Sequence, residues 1–244
     1  MIKILSVGNS FSQDAQKYLR QICASAGQEV SCANLFIGGC SIATHWQHAQ
    51  DNESAYDYEF NGVTDRKISL PDALAAEDWD IITFQQASCE CGIISSYAHL
   101  KELAAFVRER CPKAKFYIQQ TWAFDDHPLF GDIYLGDQKA MYDCLTAAYE
   151  MAGRMISTPV IPVGTIIQTL RENEPFFADR WLTRDGFHLS LGYGRYAAAL
   201  AWYGVMFDGD VKAVDFMPDD PEAEVLPEII EKIKETVAEV LAAQ

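Results

Sequence analysis

Apolar and polar positions alternate along this chain on two periods. Ile2 to Val7 is a short apolar run that stops abruptly at Gly8-Asn9-Ser10, and it predicts a first strand. Ala15, Tyr18, Leu19, Ile22 and Ala26 then recur at helical spacing, with Gly27 as the stop. "EVSCANLFIGG" predicts a second strand running into a glycine turn, and "AYDYEFNGVTDRKISL" a hairpin turning at Asn61-Gly62. "PDALAAEDW" predicts a short helix with proline in its first turn, and "WDIITFQQ" a buried strand.

The same two periods continue to the end. A helix is expected at about 97–110, a strand at "AKFYIQQTW", a helix at about 138–154, and a last strand at "TPVIPVG", weakened by its prolines. Two helices close the chain, at about 192–207 and 221–243. The second carries Leu226, Ile229, Ile230, Ile233, Val237 and Leu241 on one stripe, so it docks on the body. Strands alternating with helices imply a mostly parallel sheet covered on both faces, a three-layer α/β/α sandwich of flavodoxin-like type. No repeat, linker or low-complexity segment interrupts it, and residues 1–244 read as one domain.

Composition narrows the function. The chain has 244 residues, 49% of them hydrophobic, which suits one sizeable core. Its formal net charge of −16 repels phosphate backbones and argues against nucleic acid as a partner. No apolar run approaches the roughly 20 residues of a membrane helix, and Ile2–Val7 is too short for a signal-peptide core, so a cytoplasmic protein is expected. The seven cysteines are odd in number and scattered, with Cys89 and Cys91 as C-x-C; reduced, buried thiols are the expectation.

In such folds ligands collect at the carboxyl ends of the strands. Gly8-Asn9-Ser10, Gly38-Gly39, Gln85-Gln86 and Gln119-Gln120-Thr121-Trp122 all fall there. A serine there needs a base, and an imidazole base needs a carboxylate to fix its tautomer. Of the five histidines, His99 falls on a helix and His127 in an acidic loop. His188, in "LTRDGFHLSLGYGRY", follows Asp185 by three residues. Read alone, Asp185-Gly186 is more simply a turn, with Ser190 as a helix cap. His45 and His48, with Cys40 nearby, share a helical face, but no third metal ligand is fixed by the spacing, and no metal or other cofactor is expected.

Taken in order, "GNSFS", "NLFIGGCSIATHW", "WDIITFQQAS", "QQTWAF" and "LTRDGFHLS…GRY" resemble the SGNH (GDSL-type) hydrolase superfamily, in its DUF4886 branch, over about residues 2–207. The resemblance implies Ser10 as nucleophile, His188 as general base and Asp185 as its orienting partner. It implies an oxyanion hole from the N–H groups of Ser10 and Gly39, or Gly38, and a side chain after the third long strand. That last block departs from the usual Gly-x-Asn-Asp, and Gln86 is the expected donor, with Ser88 as its alternative. The first helix, with Ser10 near its N-terminus, would add its positive end. Trp122, Trp46 and His45 are expected to line a substrate pocket, since indole faces suit sugars. The implied activity is cofactor-free hydrolysis of a short acyl ester, acetyl foremost, on a carbohydrate or related small molecule. A flavodoxin-like phosphate or nucleotide site in "GNSFSQD", or a hydrolase fold used only for binding, are the rival expectations.

Overall fold

A computed structural model of the chain describes residues 1–126, 133–178, 180 and 182–244. Its seven-stranded sheet runs β4-β3-β2-β1-β5-β6-β7. The strands are β1 (Ile2–Gly8), β2 (Val30–Phe36), β3 (Tyr56–Phe60), β4 (Val63–Ile68), β5 (Ile81–Phe84), β6 (Lys115–Gln119) and β7 (Val160–Ile161). β2, β1, β5, β6 and β7 pair in parallel; β3 and β4 extend one edge antiparallel. Asn61 and Gly62 join β3 to β4 with both residues at positive φ, the turn that matches strand twist.

The helices are α1 (Ser10–Gln16), α2 (Leu19–Ser25), α3 (Ile42–Asp51), α4 (Leu70–Ala75), α5 (Leu100–Arg110), α6 (Gln138–Ile156), α7 (Val163–Asn173), α8 (Tyr193–Phe207) and α9 (Pro227–Ala242). α1 and α2 pack with α8, which also meets α7 and α9; α3, α4, α5 and α6 form the opposite layer. This is the expected three-layer sandwich. Its central strands are apolar on both faces, as parallel strands under two helical layers must be: Ile4, Leu5, Ala33, Leu35, Ile82 and Ile118 are fully buried.

The chain order positions the site. From β1 the chain moves to β2 on one side, and later returns to β5 on the other, so the winding reverses at β1. The carboxyl ends of β1, β2 and β5 lie side by side at this reversal, the place where open α/β sheets bind ligands. The residue that leaves β1 there is Asn9, followed by Ser10.

Three elements differ from the sequence expectation. The first helix starts at Ser10 and breaks at Lys17-Tyr18, so that α1 and α2 are separate; the Tyr18 hydroxyl donates to the Asp219 carbonyl at 2.6 Å. β7 is two residues long, and the rest of that apolar segment is α7, with Val163, Ile166, Ile167 and Leu170 turned inward. The last helix begins at Pro227 rather than near 221, its proline in the first turn. Among the described residues no helix is long and apolar enough to cross a membrane.

Candidate active site

The β1–α1 junction is built by small polar residues for stated reasons. Asn9 is the N-cap of α1: its Oδ1 accepts the Phe11 N–H at 3.0 Å, and its own N–H donates to Ser12 Oγ at 3.1 Å. That reciprocal pair satisfies donors which the first helical turn leaves open. Asn9 Nδ2 donates to the Cys40 carbonyl at 3.1 Å, tying the turn after β1 to the turn after β2. Gln85, at the end of β5, donates to Asn9 Oδ1, so three strand ends meet on one side chain. Ser12 is buried, with Oγ 2.7 Å from Asn34 Oδ1. Gly8 must be glycine because a Cβ there would lie 2.1 Å from Ser12 Oγ. Ser12 is therefore a structural member of the cap, and Ser10 is the half-buried serine left facing outward.

Ser10 Oγ lies 2.9 Å from His188 Nε2. His188 Nδ1 lies 2.7 Å from Asp185 Oδ2, and the backbone N–H groups of His188 and Phe187 donate to Asp185 Oδ1 at 2.7 and 3.2 Å. One carboxylate thus orients both the loop and the ring of its neighbour. Partial burial pushes the Asp185 carboxyl up, but the hydrogen bonds from the His188 ring and from the two N–H groups outweigh it. The carboxyl ends below its ordinary value and stays ionised. The sequence brings Asp185, His188 and Ser10 forward, and the fold brings them together across 178 residues of separation.

The base loop is braced from two sides. Thr183 bridges to Leu189, and Arg184 N–H donates to the His188 carbonyl at 2.8 Å. Asp125, in the segment after β6, accepts the Thr183 hydroxyl at 2.7 Å and faces Arg171 of α7 at 3.0 Å, while its N–H donates to the Gly186 carbonyl at 2.7 Å. Gly186 has φ +92, and a Cβ there would lie 1.8 Å from the Asp126 carbonyl oxygen. Only glycine fits so close an approach.

Gly39 occupies the turn after β2. The hydrogen bond that closes this turn runs from Cys40 N–H to the Ile37 carbonyl at 3.1 Å, so the Gly39 N–H is not used by it.

The Gln86 expectation is corrected by the geometry. Gln86 is fully buried; its Nε2 donates to the Ser96 carbonyl and lies 2.9 Å from Ser96 Oγ, and its Oε1 accepts the N–H groups of Ile42 and Ala87 at 2.9 and 2.8 Å. The amide is saturated by structural bonds that pin α3 to the loop after β5. Ser88, half-buried two residues on, is the remaining side chain of that block.

Two of the expected pocket residues, Trp122 and His45, are corrected as well. Trp122 is fully buried, stacked on Phe11 at 4.2 Å between ring centres, and its Nε1 donates to the Phe187 carbonyl at 2.6 Å. It supports the base loop from below and offers no face to a substrate. Trp46 packs edge-on against Phe106 of α5. His45 is fully buried, with Nδ1 3.0 Å from the Tyr56 hydroxyl and 3.6 Å from Cys40 Sγ. Burial, with His48 close by, pulls His45 down to about 3, so it is a neutral core imidazole. No three His, Cys, Asp or Glu side chains are grouped to hold a metal ion among the described residues. His127 lies outside the described residues.

One participant was missed. Asp14 is completely buried on α1, one turn beyond Ser10, and accepts the Leu189 N–H at 2.9 Å while pairing with Arg184 at 3.0 Å and Arg195 at 2.7 Å. The signal was a lone acidic residue on the inward stripe beside Ala15, and two arginines flanking "DGFHLS" with no assigned partner.

Comparison with known proteins agrees with this architecture. A DUF4886 family protein of known structure from Bacteroides uniformis is 34% identical, with a TM-score of 0.91 over 99% of this chain and 95% of that one. A protein from Slackia heliotrinireducens assigned to the SGNH hydrolases is 23% identical, with a TM-score of 0.57 over 84% of this chain and 98% of that one. A lipase/acylhydrolase from Enterococcus faecalis is 16% identical, with a TM-score of 0.54 over 82% and 93%. No functionally curated protein matches the chain. The chain shares its fold with these SGNH hydrolase and lipase structures; the model of the domain of unknown function DUF4886 matches residues 3–227, and the chain belongs to that family.

Proposed function

We propose that this protein is a serine esterase acting on short acyl esters. The observation that carries the reading is the unbroken hydrogen-bond chain Asp185–His188–Ser10 at the carboxyl end of β1. Ser10 Oγ attacks the ester carbonyl carbon as its proton passes to His188 Nε2. Asp185 holds the Nδ1 proton, fixes the tautomer that leaves Nε2 free, and stabilises the imidazolium that forms. The tetrahedral oxyanion is taken by the N–H groups of Ser10 and Gly39, with the Ser88 hydroxyl as the side-chain candidate now that the Gln86 amide is engaged. His188 returns the proton to the departing alcohol, and water then releases the acyl-Ser10 ester by the same path in reverse.

The residues assigned here need no cofactor. An acetyl ester of a carbohydrate or related small molecule is the substrate implied by resemblance to the superfamily. Trp122 and His45 give it no support, because both are fully buried. A panel of nitrophenyl esters of increasing acyl length, beside acetylated sugars, tests the reading against Ser10→Ala. The expected result is turnover falling with acyl length and at least about 10⁴-fold loss in the variant. Equal turnover by Ser10→Ala would overturn it.

A further inference from the structure

Beyond the reacting groups, α1 carries a second polar contact to the base loop. Ser10 and Asp14 are one turn apart on the same helix face, and they reach consecutive residues of the loop. Ser10 Oγ meets His188 Nε2 at 2.9 Å, and Asp14 Oδ2 accepts the Leu189 N–H at 2.9 Å. The same carboxylate faces two guanidinium groups. Arg184 Nη1 lies 3.0 and 3.3 Å from its two oxygens, and Arg195 Nε donates to Oδ1 at 2.7 Å. Arg184 is itself part of the loop: its Nη1 also donates to the Leu189 carbonyl, and its backbone N–H to the His188 carbonyl. Arg195 stands in the first turn of α8, and its N–H donates to the Ser190 carbonyl at 3.1 Å.

A fully buried carboxylate under two cations is a poor device for stability, since desolvation offsets much of the attraction. What such a cluster provides is register. Its bonds are directional, every oxygen of Asp14 is taken, and each partner belongs to a different element. An apolar side chain at 14 could fill the space but could not hold the Leu189 N–H.

We infer that Asp14 is a positioning residue, which sets the separation of Ser10 from His188 by holding the base loop to the helix that carries the nucleophile. This rests on the esterase reading for its kinetic consequence but not for its geometric one. A misplacement of about 1 Å between reacting groups can cost around 10²-fold in rate. The charge of Asp14, and not only its volume, is required.

The test compares wild type, Asp14→Asn, Arg195→Gln and Glu59→Gln, the last a buried carboxylate that meets α1 through Gln13 without touching the base loop. Each is melted first, and kinetics are run well below the lowest melting temperature, normalised to folded protein. Asp14→Asn should lower kcat by about 10- to 100-fold with KM changed less than about threefold, Arg195→Gln should fall the same way by less, and Glu59→Gln should keep wild-type kcat. In parallel, ¹⁵N spectra of ring-labelled histidine report the Ser10–His188 hydrogen bond without any substrate. The His188 Nε2 signal of Asp14→Asn should move toward that of Ser10→Ala. If Asp14→Asn does not fold, Arg195→Gln decides by the same two readouts. Wild-type kcat per folded molecule with an unmoved Nε2 signal would overturn the inference and leave Asp14 a structural ion. A wild-type protein that hydrolyses no ester would overturn the esterase reading instead, and the histidine spectra would still decide on Asp14.

Discussion

His188 and Asp185 share one short loop, and the carboxylate of Asp185 binds both the ring Nδ1 and the backbone N–H of His188, each at 2.7 Å. The second bond fixes where the imidazole stands and the first fixes which nitrogen carries its proton. Asp185→Asn keeps an acceptor for the backbone N–H but can present an N–H₂ to the ring. The wrong tautomer then points its proton at Ser10. kcat should fall by about 10²- to 10⁴-fold with the melting temperature nearly unchanged. A variant retaining wild-type kcat would remove Asp185 from the triad.

The pH dependence follows from the same pair. A general base accepts the serine proton only in its deprotonated form, so kcat/KM should fall as pH is lowered. The loss should follow one ionisation, because the Asp185 carboxyl lies below its ordinary value, held there by hydrogen bonds from His188 and Phe187, and adds no second one near neutrality. A pH–rate profile with two acid-side ionisations would contradict this assignment.

Gln86→Ala separates structural from chemical loss. The substitution leaves the buried N–H groups of Ile42 and Ala87 without an acceptor. Each unsatisfied group costs about 1–3 kcal/mol, so thermal unfolding should shift down by several degrees. kcat at a temperature where the protein is folded should drop far less than the 10²- to 10³-fold expected of an oxyanion donor. A loss of that size without a change in melting temperature would return Gln86 to the oxyanion hole.

His45 supplies an acid-stability test away from the site. Its folded value of about 3 lies below the roughly 6.5 of an unfolded histidine. Between those two pH values the unfolded chain binds a proton that the folded chain does not. Stability is therefore full above the unfolded value and falls as pH drops through the window, by at most about 1.4 kcal/mol per pH unit from this group. Urea melts of His45→Gln should show a shallower loss between pH 6 and pH 4 than wild type. Parallel slopes would contradict a neutral, buried His45.

The layers and the members of the Asp185–His188–Ser10 hydrogen-bond chain were legible because each leaves a local trace. Apolar runs mark Ile2–Val7 and Ile81–Phe84, and Asp185 and His188 sit in one four-residue turn. α7 was hidden because Pro162 and Gly164 read as strand-end and turn residues, although Val163, Ile166, Ile167 and Leu170 carry the helical period. The roles of Gln86, Trp122 and His45 were not legible. A place after a strand end says that a side chain is near the site, not which way it points, and Gln86, Trp122 and His45 are buried on partners in the protein body. Asp14 was missed because its partners lie at least 170 residues away in sequence.

The central claim, that Ser10 is an activated nucleophile, is tested most directly by mapping the site of a fluorophosphonate adduct by peptide mass spectrometry. Labelling should fall on the peptide containing residues 8–16, with the adduct on Ser10. It should persist in Ser12→Ala, whose hydroxyl only completes the helix cap, and vanish in Ser10→Ala and His188→Ala. No adduct on wild-type protein, or an adduct that survives Ser10→Ala, would contradict the account.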